Sequence, residues 1–115
     1  MQPDQMTNLT PKALSRLCGY LMKFDPDMPI SRLRVFLYVA QRKDTLVRDL
    51  VKVTGMNQAT IARTLAILSD RPQRGAQSGL GWVDIRPDPN DPRRVILNLT
   101  PKGQNVVAEI AELGD

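Results

Sequence analysis

Six residues, Pro87-Asp88-Pro89-Asn90-Asp91-Pro92, separate two runs of alternating apolar side chains, and they constrain the fold more than any other stretch. Three prolines so close together exclude a helix or a central strand, because each lacks a backbone N–H and fixes φ. The segment therefore reads as a stiff turn. Before it, Trp82-Val83-Asp84-Ile85-Arg86 alternates as a strand does. After it, Val95, Leu97 and Leu99 alternate again. The pair predicts a β-hairpin with a rigid, polar tip.

Elsewhere the apolar spacing is helical. Thr10-Pro11 reads as an N-cap followed by proline in the first helical position. Leu14, Leu17, Cys18 and Leu21 then mark a helix running to about Phe24, stopped by Asp25-Pro26-Asp27. Ser31 is a second candidate cap, for a helix over 32–42 carrying Leu33, Phe36, Leu37 and Ala40, and Asp44-Thr45 breaks it. Leu46, Leu50 and Val53 mark a short helix ending before Gly55. Asn57 caps a fourth, over 58–70, with Ile61, Leu65 and Leu68 facing inward. Arg71 to Leu80 reads as a loop. Thr100-Pro101 repeats the cap of the first helix and opens a last one with Val106, Val107, Ile110 and Leu113. Residues 1–9 are expected to be flexible, and 10–115 to form one domain. The expected class is mainly α with a small β-hairpin. The order helix, helix, helix-turn-helix, hairpin, helix is that of a winged helix-turn-helix.

A chain of 115 residues has material for one core. It has no histidine and one cysteine, Cys18. That excludes an intrachain disulfide, the usual zinc sites and triads that rely on histidine. No catalytic constellation, metal or cofactor is expected, so an enzyme is not. The run Val35–Ala40 is far shorter than the roughly 20 apolar residues that span a bilayer. The first residues carry neither a basic flank nor an apolar stretch, so no secretory signal is expected and the cytoplasm is the expected compartment. The net charge is +4 and the sequence pI about 9.6, which suits a polyanionic partner such as nucleic acid.

Helices that read DNA present polar or small side chains from their amino-terminal end. The fourth helix turns Ala59, Thr60, Arg63 and Ile67 outward, with Thr64 at the edge. Arg63 suits a guanine edge or a phosphate, Gln58 an adenine, and Thr60 a thymine methyl or a phosphate. The plain alternative is an ordinary solvated face. At the hairpin tip, Arg93 and Arg94 follow a turn stiffened by Pro89 and Pro92, and a stiff basic hairpin can place arginine in the minor groove or on phosphates. Asp91 is spaced to orient Arg93. Here the alternative is a solvated turn with an incidental ion pair worth under about 1 kcal/mol.

The stretch Gly81–Gly103, GWVDIRPDPNDPRRVILNLTPKG, resembles the wing of the MarR family of bacterial regulators. Gly81-Trp82-Val83 matches the family's wing opening, Asp91-Pro92-Arg93 its Asp-x-Arg tip, and Leu99-Thr100-Pro101-Lys102-Gly103 its lead into the next helix. Asn57 to Arg63 is similar to the start of the family's recognition helix, with Thr60 and Arg63 at matching positions. The resemblance covers about residues 30–113. It implies a homodimer, built through the first and last helices, on a partly palindromic double-stranded site. Asn57, Gln58, Ala59, Thr60, Arg63 and Thr64 would lie at the major groove and Arg93 in the minor groove. Arg94, Arg86 and Lys102 would lie near the backbone. Many members are repressors released by small phenolic effectors or by oxidation.

The chain departs from the family pattern in two places. About eight extra residues, Arg71 to Ser78, precede the wing; Arg71 and Arg74 there either add phosphate contacts or lie in a disordered loop. The last helix has room for about 13 residues, roughly 20 Å, where the family has a long pair. Two short terminal helices with apolar stripes can still pair across a two-fold axis. Cys18 is similar to the reactive cysteine of the family's hydroperoxide sensors, but the start of the second helix, Ile30 to Val35, lacks their tyrosines. Cys18 is therefore expected to pack in the core as a small hydrophobe. The expected function is sequence-specific, dimeric transcriptional regulation. A DNA-binding module of a replication, partition or mobile-element protein is the alternative, and a protein-binding winged-helix scaffold a third reading.

Overall fold

The computed structural model describes residues 9–70 and 79–113. Among them are α1 (Pro11–Met22), α2 (Ile30–Ala40), β1 (Thr45–Leu46), α3 (Val47–Thr54), α4 (Gln58–Leu68), β2 (Val83–Asp88), β3 (Asp91–Leu99) and α5 (Pro101–Glu112). The reading of Arg71 to Ser78, including Arg71 and Arg74, falls outside the described residues, as does that of residues 1–8.

Three helices start on a side-chain cap that the sequence announces. Thr10 Oγ1 accepts from the Ala13 N–H, Asn57 Oδ1 from Thr60 and Thr100 Oγ1 from Gly103, at 3.1, 2.8 and 3.0 Å. α3 ends on Gly55 at φ +73°, the left-handed conformation that a helix terminus closes on, with the Gly55 N–H donating to Val51 O. α2 differs from expectation. Its N-cap is Pro29, not Ser31, and the N–H groups of Arg32 and Leu33 donate to Pro29 O. Proline's fixed φ opens the helix two residues earlier and leaves Ser31 exposed in its first turn.

The sheet order is β1-β3-β2, antiparallel throughout. β1 was not expected: Thr45 and Leu46 pair with Leu97 and Ile96 where the sequence reads as a break. Both hairpin strands are longer than expected and take in Pro87 and Pro92. Pro87 is tolerated because β2 is an edge strand. Pro92 is tolerated because the register jumps there. Pro87 pairs with Val95 and Asp88 with Asp91, so residues 92–94 bulge out of the ladder without an opposite residue.

The core lies between α2, α3, α4 and the sheet. Phe36, Leu50, Ile61, Leu68, Trp82 and Leu97 are fully buried. Trp82 precedes β2 and joins the layers. Its ring centroid lies 4.9 Å from Phe36 and 5.4 Å from Phe24. The N–H groups of Leu80, Gly81 and Trp82 donate to Ile67, Ser69 and Leu68 carbonyls, which satisfies the end of α4. The wing thus starts directly on the end of α4.

Cys18 corrects an expectation. It is exposed, not in the core. α1 buries Leu21 and packs Leu17 and Tyr20 on the core, while Leu14, Cys18 and Met22 form an outward line at four-residue spacing. Cys18, Leu21, Met22, Met28, Ile30 and Leu33 help line a pocket of about 190 Å³.

Candidate nucleic-acid interface

α4 supplies the first half of the interface. Its inward face is Ile61, Leu65 and Leu68, which fixes Gln58, Ala59, Ala62 and Arg63 on the exposed side with Thr60 half-exposed. The Arg63 guanidinium donates to Thr60 Oγ1 at 3.4 Å, which draws the cation toward the amino-terminal turn. Asn57 spends its carboxamide oxygen on the cap. Thr64 differs from its expected place at the edge of the outward face. It is 8% exposed, between Ile61 and Leu65 on the buried side. The helical step is about 100° per residue, so an edge position falls inward or outward with a small rotation of the helix.

The hairpin supplies the second half. Arg93 projects from the tip with its side chain 91% exposed. Asp91 Oδ1 accepts from both the Arg93 backbone N–H, at 3.2 Å, and Arg93 Nε, at 3.1 Å, so one carboxylate sets both the main chain and the side chain. Arg86, on β2, pairs with Asp84 at 2.6 Å and stays largely exposed. Lys102 is exposed in the first turn of α5. β1 holds the two halves in one frame, because it pairs with β3 and runs directly into α3.

Arg94 is placed differently from Arg93. Its Nε donates to Asp88 Oδ2 at 2.8 Å. Asp88 is 6% exposed and also accepts from the Asn90 N–H at 2.8 Å. The Asn90 amide, and after it the Arg94 guanidinium, hold the Asp88 carboxyl below the usual carboxylate range. Sequence reasoning left Asp88 as a turn residue. The signal was Asp-Pro-Asn, in which an aspartate accepts from the N–H two residues on.

No protein-family model matches the chain, and no curated protein matches it. The arrangement of helices, paired β1 and basic hairpin is a winged helix-turn-helix. Among solved structures, the chain is similar to a mutant MarR from E. coli complexed with operator DNA, at 22% identity and TM-score 0.66, covering 96% of this chain and 66% of that one. It is similar to the transcriptional regulator Tm0710 from Thermotoga maritima, at 18% identity and TM-score 0.66, covering 85% and 63%. It is also similar to Bordetella bronchiseptica BpsR, whose DNA binding is regulated by 6-hydroxynicotinic acid, at 23% identity and TM-score 0.59, covering 88% and 67%. The chain therefore has the winged-helix fold of MarR-type regulators and spans about two thirds of their length. No helix among the described residues is long and apolar enough to cross a membrane.

Proposed function

We propose that this chain is a MarR-family transcriptional regulator that binds a partly palindromic double-stranded site as a homodimer and acts as a repressor, without enzymatic activity. One observation carries the reading: an exposed, polar helix start and a proline-stiffened wing with an outward arginine are tied into one frame through β1. In this reading Gln58, Ala59, Thr60 and Arg63 face the major groove, and Arg93, oriented by Asp91, enters the minor groove. Arg86 and Lys102 lie near phosphates. Asn57 contributes by fixing the start of α4. The outward line Leu14, Cys18 and Met22, with Ile30 beside it, supports pairing with a second copy. The pocket beside Cys18 suits an apolar effector of about the size of a benzene ring.

The test is selection of bound sites from random duplexes at moderate salt, followed by a salt titration. The expected result is enrichment of an inverted repeat with half-sites about one helical turn apart. Arg93→Ala should weaken binding to that site about tenfold and lower the salt slope by about 0.9, the share of one phosphate. A pool with no enriched site, or an unchanged slope, counts against the reading. A site inside the promoter of a gene whose expression rises when this chain is removed identifies repression.

A further inference from the structure

Arg93 and Arg94 are adjacent in the bulge of β3 but differ in exposure and in partner. Arg93 is 91% exposed at the side chain and points away from the fold, while Arg94 is 43% exposed and turned onto Asp88. Arg94, Asp88 and Asn90 share one cleft with Asp44, Leu46 and Ile96. Leu46 belongs to β1 and carries the chain into α3, and its N–H donates to Asp49 Oδ2 at 3.1 Å. The cleft is thus the junction between the wing and the start of the helix-turn-helix. Buried carboxylates need a partner. Asp88 finds them on both sides, in the Asn90 N–H of the turn and the Arg94 guanidinium of the bulge.

We propose that Arg94 is a positioning residue of the wing and not a DNA contact: clamped on Asp88, it fixes the bulge at residues 92–94 against the wing–β1 junction, and so aims Arg93. The proposal rests on the DNA-binding reading above. Arg93 keeps 91% of its side chain exposed beside a part-exposed Asp91, whereas Arg94 is held on a carboxylate buried in the junction, where it cannot reach a phosphate and so displaces few counterions. The bulge has no ladder partner opposite it, so the clamp replaces the missing register contact. Asp49 and Asp91 lie close enough to reinforce the charged state of Arg94, whose pKa is raised chiefly by its hydrogen bond to Asp88.

The experiment compares the full chain with Arg94→Ala, Arg94→Lys, Asp88→Asn and Arg93→Ala. It reads the salt slope on random-sequence duplex, the affinity for a selected site, and amide exchange at Asn90 and Arg93. Arg94→Ala is expected to speed exchange at both amides about tenfold and weaken selected-site binding about tenfold, with the salt slope unchanged. Arg94→Lys keeps the charge without Nε and is expected to exchange like Arg94→Ala. Asp88→Asn is expected to speed exchange while its salt slope rises by about 0.9, since a cation is released to the DNA. Arg93→Ala should lower the slope and leave exchange as it is. An Arg94→Ala slope that falls as far as that of Arg93→Ala, or wing exchange unchanged in all Arg94 and Asp88 variants, overturns the proposal. An unmodified chain that shows no salt-dependent duplex binding overturns the DNA-binding reading instead, and the exchange measurements then still report on the clamp.

Discussion

Gly103 stands in the first turn of α5, directly against the chain segment that enters β2. A Cβ built there would lie 2.2 Å from Trp82 O, far inside van der Waals contact with a backbone atom. Two effects oppose each other when that Cβ is added. Helix propensity favours alanine over glycine by about 1 kcal/mol. The clash forces α5 off the sheet, which costs about 1–3 kcal/mol and more where backbone must move. Backbone is what must move here, because Trp82 O also accepts from the Thr100 N–H at 3.0 Å and Thr100 Oγ1 donates to Gly81 O at 2.6 Å. Gly103→Ala is therefore expected to lower the thermal midpoint by several degrees, read by circular dichroism. A midpoint that holds or rises would mean that helix propensity wins and that the close approach is not rigid. The Leu-Thr-Pro-Lys-Gly run, read in sequence as a lead into the last helix, thus carries a packing constraint at its glycine.

At the scale of elements, a polar contact joins α1 to α5. Tyr20 Oη donates to Glu109 Oε1 at 2.5 Å. Partial burial, and then the Glu109 carboxylate, push the tyrosine pKa from 10.0 up to about 12. A tyrosine whose folded pKa is raised contributes stability that is complete below its unfolded pKa and lost as pH rises through the folded one. The loss should fall between pH 10 and about 12. Tyr20→Phe removes it, so denaturant midpoints of the two proteins should differ at pH 9 and converge above that window. A constant gap would mean that the contact does not persist in solution. The neighbouring elements also mark what sequence can carry. Asn57, Thr10-Pro11, Thr100-Pro101 and Gly55 each declare a helix boundary through their own chemistry, and each boundary lies where it was read. β1 has two residues, too few for a period. The bulge at residues 92–94 depends on which strand pairs register, and that is a non-local choice. Thr64 and Cys18 went astray for one reason: spacing identifies a stripe, but the rotation of the helix on its neighbours decides its edge residues. The wing arginines were legible as a basic pair; their different exposure and partners required the strand, its bulge and its buried aspartate.

At the scale of the whole molecule, the apolar surface is unevenly spread. Leu14, Met22 and Ile30 are 43, 54 and 83% exposed, and with Cys18 they lie along α1 and the start of α2. The stripe of α5 is used differently: Val106 is buried, and Val107 and Ile110 pack on the chain's own core. Pairing between copies should therefore draw first on α1 and the start of α2. A two-fold contact uses each such side chain twice, once from each copy, so one substitution acts twice per dimer. A charged group placed there must be desolvated against an apolar surface that offers it no partner. Met22→Lys and Ile30→Lys should each shift the mass in light scattering from about twice 12.9 kDa toward 12.9 kDa. Neither substitution alters α4 or the wing. Binding to an isolated half-site should consequently survive, while the gain from an inverted repeat disappears, because linked sites owe their extra affinity to effective concentration. If both variants remain dimeric and still prefer the repeat, the copies pair through another surface, and the exposed line on α1 has a different occupant. If the unmodified chain is itself a monomer that binds half-sites and repeats alike, the palindromic part of the proposed function fails, while α4 and the wing keep their roles within one half-site.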